Sequence, residues 1–216
     1  MERSNLGIVI PAYNESENIK AIINSIKPYG IPIVVDDGSS DNTGDISRSL
    51  GAIVFNHSRK LGYDEALSSG LETAHELGLE YAITMDADGQ HAAEDIKKIK
   101  KLLLTADIVV GVRDKKARVS EYLFGFFTNK AYGIKDPLCG MKGYKMLSFK
   151  FINLRNSYKS IGTEMLLRGL KEGLKVEQIK LTHNGKRNGR SKLGGSIRSN
   201  SMIIISLLQA INKFWK

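Results

Sequence analysis

Two carboxylates and an amide stand at alternate positions in Asp86-Ala87-Asp88-Gly89-Gln90, directly after the apolar run Tyr81-Ala82-Ile83-Thr84-Met85. In an extended chain, residues two apart point the same way, so Asp86, Asp88 and Gln90 can present oxygens to one hard cation. Mg²⁺ or Mn²⁺ suits that donor set, with phosphate oxygens and water completing the shell. Taken alone, the same residues also read as an Asx-rich turn whose carboxylates bond nearby amides. Their neighbours decide between the two.

Apolar strands alternating with amphipathic helices surround this segment. Residues 6–10 form an apolar run closed by Pro11, and Ser16 then precedes a helix over 17–26 with Ile19, Ile22, Ile23 and Ile26 at helical spacing. A second strand over 31–35 ends in the polar turn Asp36-Asp37-Gly38-Ser39-Ser40-Asp41-Asn42-Thr43, ahead of a helical segment over 45–50. A third strand over 52–55 precedes a helix over 63–77 with Ala66, Leu67, Gly70, Leu71 and Ala74 on one face. The strand at Tyr81, a helix over 93–104 and a strand over 108–112 follow, the last delivering Arg113. This alternation predicts a parallel sheet covered on both faces. Right-handed crossovers would set the loops at one sheet edge, so that Tyr13, Asp37, Asp88 and Arg113 converge there.

Beyond Arg113 the pattern loosens. The aromatic cluster at 122–127 is expected in the core rather than along a groove. Residues 136–140 read as a turn, 161–170 as a helix carrying a solvated Glu164, and 176–181 as a strand. Arg113 is expected to pair with Asp114 or another surface carboxylate if it does not bind ligand. No repeat, low-complexity tract or linker interrupts the chain.

At 216 residues, 42% hydrophobic and 25% charged, the sequence can bury a full core as one domain, 1–195, with a C-terminal extension, 196–216. The lone cysteine, Cys139, excludes an internal disulfide and a Cys-rich zinc site; with no adjacent base it reads as a small buried side chain. The four histidines lack metal-ligand spacing, and His91 is expected in a loop near the acidic segment. Residues 1–5 are polar and run into a strand, so no signal peptide is expected, and no stretch of 18 apolar residues suggests a membrane span. The net charge of +9 is concentrated in the tail, with ten Lys or Arg against two carboxylates from Lys171 onward. Such a tail suits phosphate substrate, an anionic membrane surface or nucleic acid. Acidic loops and little aromatic interleaving argue against nucleic acid.

Five segments in order carry a resemblance. Val9-Ile10-Pro11-Ala12-Tyr13-Asn14-Glu15, the turn from Val34 to Thr43, Met85 to His91, Asp136-Pro137-Leu138-Cys139-Gly140, and Gly189-Arg190-Ser191-Lys192-Leu193-Gly194-Gly195 together resemble family 2 glycosyltransferases. Within these, the sequence is most similar to dolichol-phosphate mannosyltransferases and related polyprenyl-phosphate glycosyltransferases, over about residues 6–195. The resemblance implies a GT-A fold, a Rossmann-like α/β domain with a mostly parallel sheet covered by helices. It also implies metal-dependent, inverting transfer from a nucleoside-diphosphate sugar, GDP-mannose or a UDP-sugar, to a polyprenyl or dolichyl phosphate. Carried over by position, Pro11, Tyr13 and Glu15 would hold the nucleotide, and Val35 and Asp37 would reach base and ribose. Asp86, Ala87, Asp88 and Gln90 would hold the metal and diphosphate, with Arg113, Ser191 and Lys192 near phosphate. The family's arginine before the last motif falls on Lys186 or its neighbour Arg187. The loop over 56–62 departs from the family pattern and is given no contact. Other acceptors such as a cell-surface polysaccharide, a nucleotidyltransferase and a nucleic-acid module are the competing readings.

The chemistry fits those residue types independently. A departing diphosphate gathers negative charge that a bound metal and Arg or Lys stabilise, and a phosphate acceptor is already anionic, so no strong base is required. Asp88, Arg113 and Lys192 are therefore the expected catalytic set. The tail carries Ile203, Ile204, Leu207, Leu208 and Ile211 on one helical stripe, flanked by Arg198 and by Lys213-Phe214-Trp215-Lys216. This amphipathic helix suits a membrane interface and equally suits packing on the domain or a second subunit. A cytoplasmic protein, peripheral on the cytoplasmic membrane face and open to a homo-oligomeric or membrane-protein partner, is the corresponding expectation.

Overall fold

The computed structural model describes residues 5–116, 118–149, 160–182, 203–205 and 207–208. In chain order these form β1 (Leu6–Ala12), α1 (Ile19–Ile26), β2 (Ile31–Asp36), α2 (Thr43–Ser49), β3 (Ile53–Asn56), α3 (Tyr63–Glu76) and β4 (Tyr81–Thr84). There follow α4 (Asp95–Leu103), β5 (Ile108–Val112), α5 (Val119–Tyr132), β6 (Lys142–Lys145), a short 3-10 turn (Met146–Phe149), α6 (Ile161–Lys171) and β7 (Val176–Lys180). Among the described residues the sheet has seven strands in the order β3-β2-β1-β4-β6-β5-β7.

The period of two in β1 explains why helices cover both faces. Leu6, Ile8 and Ile10 point into a core shared with Ile19, Ile22, Ile23 and Ile26 of α1 and Ile96, Ile99 and Leu103 of α4. Val9, between them, points to the opposite core with Leu67 and Leu71 of α3 and Met165 and Leu166 of α6. Strands buried on both faces read as continuous apolar runs, which is how β1, β2 and β5 announce themselves.

The sheet is mostly parallel, as expected, but β6 was not foreseen. It runs antiparallel between β4 and β5, with Thr84 opposite Lys142 and Val109 opposite Gly143. Lys142-Gly143-Tyr144-Lys145 has neither an apolar run nor β-branched residues, so pattern alone does not mark it. Its reversed direction matters for the site. The carboxyl ends of β1, β2, β4 and β5 lie at one edge, and there β6 begins rather than ends, bringing residues 136–140 to the same edge.

Two further expectations are corrected. The aromatic cluster of α5 is mostly outside the core: only Phe124 is fully buried, while Tyr122, Leu123, Phe126 and Phe127 are exposed. A helix lying on the surface buries one stripe, and here Phe124 and Thr128 occupy it. Glu164 is buried rather than solvated, and its Oε1 accepts from Arg168 Nε and Nη2 at 3.0 and 2.6 Å. The expected boundary at 195/196 falls outside the described residues. Of the C-terminal stripe, Leu207 packs with Phe124 and Leu167, and Ile203 lies against them. Ile204 and Leu208 are exposed, so the stripe is shared between core and surface.

Candidate active site

The loops after β1 and β2 are stitched to each other. Asp37 N donates to Ala12 O at 2.8 Å, Asn14 N to Ser39 Oγ at 2.9 Å, Ser40 N to Asn14 Oδ1 at 2.8 Å, and Glu15 N to Thr43 Oγ1 at 2.8 Å. Asp41 completes the seam, accepting from Ser16 N and Thr43 N. Burial pushes the Asp41 carboxyl up, but donors from Thr43 and Ser16 outweigh it and hold it below its usual range. Pro11 and Val35 are paired in register near the ends of β1 and β2, and both are buried, Val35 against Gly70 of α3.

Asp37 does not stand open. Leu61 N and Gly62 N donate to its two oxygens at 2.8 Å each, and His57 Nδ1 lies 2.7 Å from Oδ1. Ser69 Oγ meets the other ring nitrogen of His57 at 3.0 Å. The loop over 56–62, given no contact from sequence, is thus tied onto the turn after β2. Gly38 allows this closeness: its φ is +70°, and a Cβ there would lie 2.6 Å from the Arg59 carbonyl carbon. Lys60 Nζ sits 3.8 Å over the Tyr13 ring, a cation–π contact between this loop and the first.

The same loop leads directly to the acidic segment. Tyr63, the residue after Gly62, donates its hydroxyl to Asp86 Oδ1 at 2.9 Å, and His91 Nε2 lies 3.3 Å from Oδ2. Gly140 approaches so closely that a Cβ on it would run into the Asp86 carboxylate. Burial works against the charge of Asp86, but hydrogen bonds from His91 and Tyr63, with the charges of His91 and Arg113, lower its pKa to about 2. Asp86 therefore stays ionised with about a third of its side chain exposed. Asp88 Oδ1 accepts Gln90 N at 3.1 Å, so the Asx turn forms at the residues proposed as ligands. Ala87 is buried between the two carboxylates in sequence.

Arg113 emerges from β5, and its partners are buried carboxylates rather than Asp114, which pairs with Lys180 instead. Arg113 Nε and Nη2 donate to Asp136 at 2.8 and 2.9 Å, and Nη2 also to Glu121 Oε2 at 2.9 Å. Burial works against the guanidinium charge, but Asp136 more than restores it and raises its pKa. Residues 136–140 thus touch Arg113 at one end and Asp86 at the other. Cys139, in this loop, is fully buried, and burial pushes its thiol up to about 12, which makes it inert as a nucleophile. Lys142 is buried too, with Nζ donating to Cys139 O at 2.5 Å; burial lowers its pKa against the pull of nearby Cys139 and Asp136.

Of the four residues expected to converge, Tyr13 and Asp37 are linked by the loop over 56–62 and Tyr63 to Asp86, and Arg113 is joined to Asp86 through residues 136–140; Asp88, two positions beyond Asp86, is bonded to Gln90 N. Ser191, Lys192, Lys186 and Arg187 lie outside the described residues. His57, Tyr63 and His91 were not foreseen as partners of the aspartates. Their only sequence signal is that each is a polar ring beside a motif. Among the described residues no group of three or more His, Cys, Asp or Glu is gathered as a ready metal cage. Two carboxylates and an amide remain a fitting set for a cation that draws its other ligands from a phosphorylated substrate. Gly140 lies so close to Asp86 that a side chain there would displace the carboxylate.

An open α/β sheet with polar loops joined across the carboxyl ends of its strands places the candidate site at a topological switch point, between β1 and β4, where folds of this class bind their ligands. Residues 7–132 match the family described as Glycosyl transferase family 2, more than half the chain, and the protein belongs to that family of glycosyltransferases. It is 28% identical over 207 residues to a UDP-N-acetylglucosamine–dolichyl-phosphate N-acetylglucosaminyltransferase of Methanococcus voltae, covering 80% of this chain and 82% of the other. It is 27% identical to a polyprenol monophosphomannose synthase of Mycolicibacterium smegmatis, covering 88% and 81%. Among solved structures, glucosyl-3-phosphoglycerate synthase from Mycobacterium tuberculosis, in complex with Mn²⁺, UDP and glucosyl-3-phosphoglycerate, superposes with a TM-score of 0.79 at 21% identity, covering 99% and 81%. That likeness establishes the GT-A-like fold.

Proposed function

We propose that the protein transfers a sugar, with inversion, from a nucleoside-diphosphate sugar to a polyprenyl or dolichyl phosphate. One observation carries this reading: the loops after β1, β2 and β4 are joined through Asp37, Gly62, Tyr63 and Asp86, beside a loop that also holds Arg113. The relatives named for dolichyl-phosphate, undecaprenyl-phosphate and polyprenol substrates support the acceptor class. The UDP and Mn²⁺ of the glucosyl-3-phosphoglycerate synthase complex support the donor class and a divalent ion.

Asp86, Asp88 and Gln90 would hold Mg²⁺ or Mn²⁺, which supplies electrostatic stabilisation for a departing diphosphate. Tyr63 and His91 fix the Asp86 carboxylate, while Tyr13, Glu15 and the loop over 56–62 would enclose the nucleotide at the ends of β1 and β2, beside Pro11 and Val35. A phosphate oxygen of the acceptor forms the new bond to the anomeric carbon as the bond to the diphosphate oxygen breaks. That oxygen is already anionic, so no residue need remove a proton. Arg113, with Lys192 and Lys186 or Arg187 of the tail, provides the cations for the phosphates, and Ser191 a neutral hydroxyl donor.

A lipid acceptor must be met at a membrane surface. Val119, Tyr122, Leu123 and Phe126 recur at helical spacing on the exposed face of α5, with Val119 75% and Phe126 63% exposed. Ile204, Ile205 and Leu208 add exposed apolar surface on the segment that packs against the same helix through Leu207. Lys115, Lys116 and Lys130 flank it in sequence, which favours the anionic cytoplasmic leaflet. Among the described residues no helix is long and apolar enough to cross a membrane. The proposed contact lies along the interface.

The test is to incubate the protein with Mg²⁺ or Mn²⁺, a panel of nucleotide sugars and a polyprenyl phosphate, and to identify the glycolipid by mass spectrometry. A glycolipid with one donor is expected, with loss of at least about two orders of magnitude in Asp88→Ala. Absence of glycolipid with every donor overturns the acceptor; full activity in Asp88→Ala removes that residue as an essential ligand.

A further inference from the structure

The residues assigned to the nucleotide, Tyr13, Glu15 and Asp37, follow or close β1 and β2, and the carboxylates assigned to the metal and diphosphate follow β4. In the strand order β2-β1-β4-β6 the next position along the same edge is the start of β6. Neighbouring strands lie about 4.8 Å apart, so a sugar one linkage past the diphosphate reaches that strand.

The contacts around this point close into a circuit. α3 and α6 cover the same face of the sheet, and their first turns meet there, with Asp64 Oδ1 accepting Ile161 N at 2.7 Å. Gly162 follows, and a Cβ on it would lie 3.6 Å from Lys142 Nζ. Lys142 leads through Cys139 O to Gly140, which abuts the Asp86 carboxylate, and Tyr63 joins Asp86 back to Asp64, its neighbour in sequence. Two polar groups in the circuit have capacity that the protein leaves unused. Asp64 makes one hydrogen bond among the described residues, through Oδ1, and its second oxygen is not sealed from solvent. Burial pushes its carboxyl up; the Ile161 N–H pulls the other way, and Glu65 and Glu164 add to the rise. The charged form is therefore short of donors. Lys142 is 4% exposed, and among the described residues Cys139 O accepts from only one of its three ammonium N–H groups.

We propose that Asp64 is a specificity-determining residue for the donor: its second oxygen accepts a hydrogen bond from one hydroxyl of the transferred sugar while Oδ1 holds the first turn of α6. This rests on the reading of the donor as a nucleoside-diphosphate sugar. The hydroxyl supplies the donor that the half-buried carboxylate lacks, and Lys142 has N–H groups left for a neighbouring sugar oxygen. A sugar without that hydroxyl leaves the carboxylate short of a partner, a penalty that shape alone does not impose. Because Asp64 is tied to α6, the reading oxygen is in place before the sugar arrives.

The full-length protein is first given UDP-glucose, UDP-N-acetylglucosamine and GDP-mannose with Mn²⁺ and a polyprenyl phosphate. The donor that yields glycolipid is then compared with each of its monodeoxy analogues by kcat/KM, in wild type and in Asp64→Ala. One analogue should have a ratio to the parent donor at least about tenfold lower in wild type than in the variant, the size of one hydrogen bond to a charged group. The other analogues should keep the same ratio in both proteins, with the affinity for free UDP or GDP unchanged. Equal ratios for every analogue overturn the proposal, because loss of the α6 contact alone slows parent and analogues by one factor. If Asp64→Ala does not fold, Asp64→Asn, which keeps an acceptor for the Ile161 N–H, takes its place: the neutral amide should still raise that one ratio, and equal ratios again overturn the assignment. A wild type that turns over no donor of the panel removes the donor class itself.

Discussion

Asp41 touches no expected ligand, yet it closes the seam on which the nucleotide loops depend. Its donors, Ser16 N and the Thr43 backbone and hydroxyl, come from both sides of that seam. Its folded carboxyl titrates below the usual 3.8, so the stability it adds is fully present above about pH 4 and disappears as pH falls through the depressed value. The urea midpoint of the wild type should therefore exceed that of Asp41→Asn by a constant amount from pH 7 to about pH 4, and the gap should shrink below it. A gap that widens on acidification would contradict the seam. At this scale the sequence was legible in position: strand periodicity puts Asp86 and Arg113 just past the ends of β4 and β5, where the structure has them. It was silent on who holds them. Tyr63 reaches Asp86 from 23 positions away and Asp136 reaches Arg113 from 23, distances in sequence that no local pattern spans.

Among the elements, β6 shows what periodicity misses and why it matters. A strand of lysines, a glycine and a tyrosine earns its place from both neighbours, β4 and β5, and not from its own propensity. The residues leading into it, Asp136 to Gly140, read correctly as a turn, but only the antiparallel direction of β6 puts that turn beside Asp86. Gly140→Ala tests this placement. Its methyl group would meet the Asp86 carboxylate, which must swing away from Tyr63 and His91. Overpacking of this kind costs about 1–3 kcal/mol, so the variant should still fold, with a lowered melting temperature. Transfer should drop at least about tenfold, and Mn²⁺ affinity, followed by the spin-resonance signal of free ion, should weaken with it. Wild-type Mn²⁺ affinity in this variant would remove Asp86 from the proposed ligands.

For the whole molecule, the distribution of apolar and basic groups joins site and surface. α5 begins at the arginine–carboxylate cluster and presents a row of large apolar side chains to solvent, so a bilayer under that face would lie next to Arg113. The sequence showed the aromatics at 122–127 but placed them inside, because an apolar cluster near the middle of a chain is usually core. What distinguishes the outer residues is the helix phase set by Phe124 against Leu167 and Leu207, a tertiary fact. If this face meets lipid, replacing Phe126 and Phe127 together by serine removes two partly inserted rings without touching the buried stripe. Each ring is worth about 1.5–3 kcal/mol when fully buried, and partial insertion of both still predicts at least a tenfold loss of partition onto anionic vesicles. Donor binding should be unaffected, and binding of the wild type to the same vesicles should weaken as salt rises, because the basic residues near this face act through screened charge. Unchanged sedimentation of the double variant with vesicles would show that the exposed rings serve a protein partner instead, and the lipid phosphate would then have to be presented to Arg113 by that partner.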